Sequence, residues 1–376
     1  MVPVPWLNFI GISTQTHDKA QRSLRRLTRP THFSTDAGTV TKKSSPANPD
    51  LGGITRDTKR LVPDHRGLDE AASLLKSGQL VAFPTETVYG LGADATNPQA
   101  IAALYAAKGR PQFNPLIAHI ADHADAEREG RFNPLALELA KAFWPGPLTL
   151  VVPRSENGTV CDLTCAGLDS VGLRFPSHPI ARALIEKAGR PIAAPSANRS
   201  GHISPTESDH VWSDLSGRID ALIEAYASPV GVESTIIACL DTTPRLLRHG
   251  GITQEEIFEK TGLRLHSMEG GAVIAPGMLD SHYVPDARVR LNAQSVTAAE
   301  AVLLFGPVSI DGADHAKARL NLSPRGDLTE AAAHLYDYLR RLDRIGCQAI
   351  AIAPIPDHGL GAAINDRLRR AAAPRS

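Results

Sequence analysis

Thr85, Glu86 and Thr87 follow an apolar run and precede a glycine pair in the stretch FPTETVYGLGADA, Phe83 to Ala95. Two hydroxyls and a carboxylate there can line a ligand site together with Tyr89, or can cap turns, which such residues also favour. Five further segments carry groups of the same kind. In AAKGRPQFNPLIAHI, Lys108 and Arg110 stand near Asn114 and His119. Two cations at a helix C-terminus meet its dipole favourably, so capping accounts for them as well as anion binding does. A lone histidine on an apolar strand is more often a core residue than a ligand contact, but His119 does not stand alone here. Arg174 lies among apolar neighbours in SVGLRFPSHP. A buried unpaired guanidinium is costly, so it should face an anion, either a ligand or a structural carboxylate. PIAAPSANRSGHISPT sets Ser196, Asn198, Ser204 and Thr206 in a small-residue loop suited to hydroxyl contacts with phosphate or ribose. GVESTII offers Ser234 and Thr235, and RLLRHGGIT places Arg248 ahead of two glycines. Neither a G-x-x-x-x-G-K-[ST] loop nor a G-x-S-x-G elbow occurs. Several cations and many neutral donors without an evident nucleophile suit holding a polyphosphate in line better than covalent catalysis.

The elements that must position these groups follow from periodicity. GLDEAASLLKSG has helical apolar spacing with Gly78 at its end, and QLVAF reads as a short strand. NPQAIAALYAAKGR offers Asn97 as N-cap, Pro98 at the first helical position and Gly109 as terminator. FPTETVYGLGADA is therefore expected to be a strand-to-helix loop. It would lie at the carboxyl end of a strand, on one rim of a sheet where such folds bind ligands. PLIAHIA, LTLVVP, SVGLRFP, PIAAPSAN and STIIACL are strand candidates, with helices at 134–143 and 179–188. The alternation predicts an α/β domain over 59–265. Residues 266–290 lose periodicity and carry Gly and Pro, which predicts an interdomain linker. Over 291–376, AVLLFGPVS, the helix opened by Asp327 with Glu330 in the capping-box position, QAIAIAP and GAAINDRLRRAA predict a small Rossmann-like α/β domain. It lacks G-x-G-x-x-G, so dinucleotide binding is not inferred.

The 376 residues, 42% of them hydrophobic, suffice for two domains with a sizeable core. A formal net charge of +0 demands no polyanionic partner, so any nucleotide site must be built locally. Cys161, Cys165, Cys239 and Cys347 are expected to be buried free thiols, which suits a reducing compartment and a cytoplasmic protein. No apolar run approaches the roughly 20 residues that span a bilayer. Residues 1–58 are rich in Ser, Thr, Pro and basic residues, and Asp18 is the sole acid before Asp36, which predicts a disordered tail. The same composition resembles an organelle transit peptide, and a downstream translation start explains it as well.

FPTETVYGLGADA, KGRPQFNPLIAHI, WPGPLTLVVP, VGLRFP, APSANRSG and GVESTII together resemble the threonylcarbamoyl-AMP synthase family, in order and spacing over about two hundred residues. APGMLDSHYVPD and GLGAAINDRLRRAA further resemble its longer, two-domain form. The resemblance implies a YrdC-like twisted α/β catalytic domain. It implies synthesis of threonylcarbamoyl-AMP and pyrophosphate from L-threonine, bicarbonate or CO2, and ATP, for later transfer by a tRNA-modifying complex to an adenosine beside the anticodon. Thr87, His119, Arg174, Ala194 and Ser234 match the family's threonine positions, with Arg174 on the amino-acid carboxylate. Arg110, Asn114, Ser170, Ser196, Ser204, Arg248 and Tyr283 match its ATP contacts. Lys108 and Asn198 complete the Lys-x-Arg and Ser-x-Asn pairs, expected near the phosphates and a Mg2+ ion, with Lys108 and Arg110 catalytic. Tyr283, in the linker, is expected to close over the site as a lid or to pack between domains.

Two other classes compete. An RNA-binding module would grip phosphates in a basic cleft, but the neutral total charge and the lack of stacking aromatics near the basic residues speak against it. A carbamoyltransferase on the same fold, as in hydrogenase maturation, normally brings zinc-finger and acylphosphatase-like segments, which are not seen in this sequence.

Overall fold

The computed structural model describes residues 55–267, 274–276, 282–307 and 309–374. The tail expected over 1–58 lies outside these residues as far as 54. Its last residues are anchored: Arg56 N–H donates to Gly217 O at 2.9 Å, and buried Thr58 donates its hydroxyl to Ile219 O at 2.7 Å.

The chain opens with β1 (Lys59–Leu61), α1 (His65–Lys76), β2 (Val81–Phe83), β3 (Gly90–Asp94) and α2 (Pro98–Lys108). Next come β4 (Ile117–His119), α3 (His123–Glu129), α4 (Pro134–Phe143), β5 (Leu148–Pro153) and β6 (Ser170–Arg174). After α5 (Pro179–Ala188) and β7 (Ile192–Ala193) follow α6 (Ser208–Leu215), β8 (Ala221–Ile223), β9 (Thr235–Ala238), β10 (Arg245–Arg248), α7 (Gln254–Thr261) and β11 (His266–Ser267). These strands form one mixed sheet in the order β1-β8-β2-β3-β7-β4-β6-β5-β9-β10-β11.

Local chemistry sets the helix limits. Asn97 accepts from the N–H groups of Gln99 and Ala100, Pro98 starts α2, and Gly109 ends it at φ 62°. The same logic closes α5 at Gly189, φ 64°.

The stretch expected to be a strand-to-helix loop is instead a β-hairpin connection. β2 and β3 are antiparallel, with Phe83 opposite Gly90 and Val81 opposite Gly92. Two glycines in GLGAD disguise the strand, yet they answer to packing. A Cβ on Gly92 would come within 2.8 Å of the Phe83 ring, and one on Gly90 within 3.1 Å of Ala194 Cβ.

The second domain holds β12 (Arg288–Arg290), β13 (Ala301–Leu304), β14 (Ala318–Asn321), α8 (Leu328–Asp343), β15 (Ala349–Ile352) and α9 (Leu360–Ala372). Its all-parallel sheet runs β12-β15-β13-β14, as a small Rossmann-like unit should. The expected linker over 266–290 thus contains both β11 and β12, so the second sheet starts earlier than its apolar pattern suggested. Asp327 caps α8, but the capping box is not reciprocal. Ser323 Oγ donates to Glu330 at 2.6 Å and accepts from Asp327 N–H at 2.9 Å, taking the place of the expected contact. The domains share one apolar cluster, in which Val88, Ile203 and Val232 of the first pack with Leu335, Tyr336 and Leu339 of the second. The four cysteines are free, and Cys161 is half-buried where full burial was expected.

Candidate active site

One cavity gathers most of the expected site residues. Thr87, His119, Arg174, Ala194 and Ser234 all line it. So do Arg110, Ser196, Arg248 and Tyr283. It is not confined to one rim. Ile117 and His119 both line it, so one whole face of β4 forms its floor, and His119 sits in register with Arg174 on parallel β6.

Thr87 hangs on the β2–β3 connection. Its hydroxyl accepts from Arg174 Nη1 at 3.0 Å and lies 2.8 Å from Thr85 Oγ1. Arg174 does face an anion within the protein, as Nη2 lies 2.7 Å from Glu86 Oε1 and both side chains are buried. Burial would push the Glu86 carboxyl up, but the Arg174 charge outweighs it and holds Glu86 below its ordinary value. Burial, with the nearby Arg174 charge, pushes His119 down to about 3, so its imidazole is neutral, and Nδ1 has no hydrogen-bond partner.

At the other end, Arg248 donates Nε and Nη2 to Ser234 O at 3.1 and 3.0 Å, and Nη2 also to Ser234 Oγ at 3.1 Å. Arg110 Nη2 donates to Pro115 O at 3.1 Å, and burial with the Arg248 charge pulls its pKa down to about 10. Lys108 lies behind the lining. Its Nζ donates to the carbonyls of Ser196, at 2.6 Å, and Asn198. Burial and the Arg110 charge bring it well below the usual lysine value. Asn198 accepts from Ser196 Oγ at 2.6 Å, and Ser204 Oγ donates to Glu233 at 2.6 Å. The Asn114 carbonyl accepts from Tyr105 OH at 2.9 Å. Lys108, Asn114, Asn198 and Ser204 therefore support the wall from behind. Ser170 is not brought to the cavity. It begins the strand that Arg174 ends, about 13 Å away at the usual rise per residue.

Tyr283 is packed in place, stacked on Tyr336 with ring centroids 5.5 Å apart. It holds a positive φ of 64°, the kind of backbone strain that clusters at functional sites. Residues 277–281, just before it, lie outside the described residues. Sequence reasoning missed Ile117, Glu233, Pro276 and His282, which also line the cavity. Glu233 had a legible signal, an acid embedded in apolar GVESTII; His282 had none beyond adjacency to Tyr283.

Buried cations, hydroxyls and amides around one cavity, on a twisted sheet backed by a Rossmann-like unit, define a two-domain enzyme with a YrdC-like catalytic module. The family model described as telomere recombination, named for Sua5, YciO and YrdC, matches residues 73–250. A second, described as the threonylcarbamoyl-AMP synthase C-terminal domain, matches 252–373. The chain is 41% identical to the threonylcarbamoyl-AMP synthase of Bacillus subtilis, covering 85% of this chain and 96% of that protein. It is 42% identical to the Pyrococcus abyssi enzyme of that name, over 80% of this chain and 92% of that one. The crystal structure of P. abyssi Sua5 complexed with L-threonine superposes with a TM-score of 0.74 at 38% identity, over 84% of this chain and 97% of that one. This chain belongs to the threonylcarbamoyl-AMP synthase family.

Proposed function

We propose that the cavity converts L-threonine, bicarbonate or CO2, and ATP into threonylcarbamoyl-AMP and pyrophosphate. Support comes from one observation: Arg174, suited to an amino-acid carboxylate, and Arg110 with Arg248, suited to a polyphosphate, line the same cavity. The threonine amine attacks CO2 and loses a proton, giving a carbamate. A carbamate oxygen then bonds to the α-phosphorus as the α–β bridging oxygen departs on pyrophosphate. Arg110 and Arg248 hold the phosphates and stabilise the charge on the leaving group, on a wall that Lys108 braces through the carbonyls of Ser196 and Asn198. Neutral His119 offers Nδ1 to the amino acid without adding a competing positive charge.

The residues fit a Mg2+ ion that arrives on ATP. Both nearby carboxylates, Glu86 and Glu233, are engaged by arginines. Ser196, which lines the cavity, would supply the protein oxygen, its hydroxyl held by the Asn198 side chain behind it at 2.6 Å. Such an ion neutralises phosphate charge during displacement. The mixed anhydride suits a tRNA-modifying transferase as its consumer, with an adenosine beside the anticodon as acceptor.

The test is pyrophosphate release with and without L-threonine and bicarbonate, with the nucleotide product weighed by mass spectrometry. Release should require both, and Lys108→Ala or Arg110→Ala should lower turnover by about a hundredfold. Release that ignores threonine, or variants with near-wild-type turnover, would remove the proposal.

A further inference from the structure

Besides its packing on Val88 and Tyr283, the second domain meets the cavity wall at one carboxylate. Glu233 projects beside Ser234 at the entry to β9 and lines the cavity. Its Oε1 accepts from Ser204 Oγ at 2.6 Å and Tyr336 OH at 3.1 Å. Its Oε2 accepts from Tyr336 OH at 2.9 Å and Arg367 Nε at 2.9 Å. Tyr336 stands on α8 and Arg367 on α9, so two helices of the second domain donate to one acid of the first. Arg367 is fully buried and donates Nη1 to His249 O at 2.7 Å, the residue after Arg248. Its guanidinium lies 5.7 Å from the centre of the Tyr283 ring.

Adhesion between the domains does not require this pair, because Val88, Ile203 and Val232 already pack on the second domain's core. A buried ion pair adds little net stability over apolar packing, but it fixes geometry. The elements it fixes are those that carry the phosphate-side groups. Ser234 adjoins Glu233, Arg248 is bonded to Ser234 and adjoins His249, and Tyr283 is held between Arg367 and Tyr336. We infer that Arg367 and Glu233 form a positioning latch, through which docking of the second domain sets the Ser234–Arg248 wall and Tyr283 for ATP. Arg367 acts through Glu233 and His249 and is not itself a catalytic residue. This inference rests on the reading of the cavity as the ATP and threonine site.

The test uses the full chain carrying Arg367→Met, Glu233→Gln, both together, or Tyr336→Phe. ATP affinity is read by calorimetry, KM values for ATP and threonine by pyrophosphate release, and folding by thermal melts. Arg367→Met should weaken ATP binding at least about tenfold, and should add less than about twofold once Glu233→Gln is present, since residues acting as a unit are non-additive. Tyr336→Phe leaves both charges in place and should weaken ATP binding about threefold, a smaller loss in the same direction. Unchanged ATP affinity in the folded Arg367→Met or Tyr336→Phe chain, or single effects that simply multiply, would overturn the latch. Because calorimetry needs no turnover, ATP binding reads the latch even if threonine-dependent pyrophosphate release fails, a failure that would count against the proposed reaction instead.

Discussion

Glu86 and Glu233 are both buried carboxylates facing an arginine at the cavity wall, yet their surroundings differ. Glu233 is saturated, with a serine, a tyrosine and Arg367 all donating to it, and burial is outweighed by the charges of Arg367 and Arg248 so that its pKa falls to about 2. Glu86 sits 2.7 Å from Arg174, but neither of its oxygens nor Arg174 Nη2 has a well-aligned hydrogen bond. Arg174 is otherwise held by Thr87, at 3.0 Å from Nη1, and more loosely by Gly146 O, at 3.4 Å from Nε. The difference lies in the carboxylate: Glu86 makes no aligned hydrogen bond, so Arg174 can turn part of its capacity to a ligand, whereas Glu233 is saturated and can only hold shape, although Arg367 Nη2, like Arg174 Nη2, has no hydrogen-bond partner. The open pair lies where an amino-acid carboxylate is expected, and the closed pair lies between domains.

Breaking the open pair should have the largest effect. Arg174→Met leaves Glu86 buried without a counter-charge, which costs on the order of 3–5 kcal/mol of stability, and it removes the carboxylate anchor. Threonine-dependent kcat/KM should fall at least about a hundredfold, the scale for losing one partner of a buried charge pair. A chain that stays folded with an unchanged KM for threonine would mean that the carboxylate binds elsewhere. Glu86→Gln tests the other half. Removing the competing acid should lower stability by about 2 kcal/mol while L-threonine binds no more weakly than before. A tenfold loss of threonine affinity would show that Glu86 contacts the ligand and is not merely Arg174's internal partner.

Acid separates the two ends further. His119 and His282 are both held near 3 by burial, against an ordinary value of 6.5. Depressed values mean that the unfolded chain binds more protons, so this stability is present above about pH 6.5 and drains away as pH falls toward 3. Each histidine should contribute a slope of about 1.4 kcal/mol per pH unit in that window. Glu233, lowered from 4.5 to about 2, adds its own loss only below about pH 4.5. Chemical denaturation from pH 7 to 5 should therefore show falling stability before the carboxylates titrate; burial also lowers His178, His202 and His249, so His119→Gln should remove its own share of about 1.4 kcal/mol per pH unit and leave the rest of the slope. A flat profile would mean that these imidazoles are solvated.

How much of this was readable in the sequence depends on how local each determinant is. The limits of α2, α4 and α5 follow from N-cap, proline and glycine signals within a dozen residues, and the helices stand at those positions. β3 was missed because its glycines are explained by Phe83 and Ala194, neighbours in space that no periodicity reveals. β10 was missed because Arg245 and Arg248 bracket only two apolar residues. Arg174's need for an anion was legible from its apolar setting, but the choice of Glu86 was not. The partner of Glu233 lies 134 residues away on the last helix, so an acid that looks out of place in GVESTII could be noticed and not explained.

The smallest expected effect is also the most discriminating. Thr87 Oγ1 accepts from Arg174 Nη1 at 3.0 Å and lies 2.8 Å from Thr85 Oγ1, whose own hydroxyl donates to Val88 O at 2.6 Å. With Thr85 donating to Val88, Thr87 is left to donate to Thr85 while it accepts from Arg174. Thr87→Val keeps the shape but strips both roles, leaving Nη1 of a buried guanidinium without its acceptor, at a cost of about 1–2 kcal/mol. If that bond aims Arg174 at the ligand, KM for threonine should rise about tenfold with KM for ATP unchanged, and Thr87→Ser, which keeps the hydroxyl, should stay within about twofold of wild type. Equal shifts in both KM values would place Thr87 in the general scaffold, and Arg174 would then owe its orientation to Glu86 and the Gly146 carbonyl.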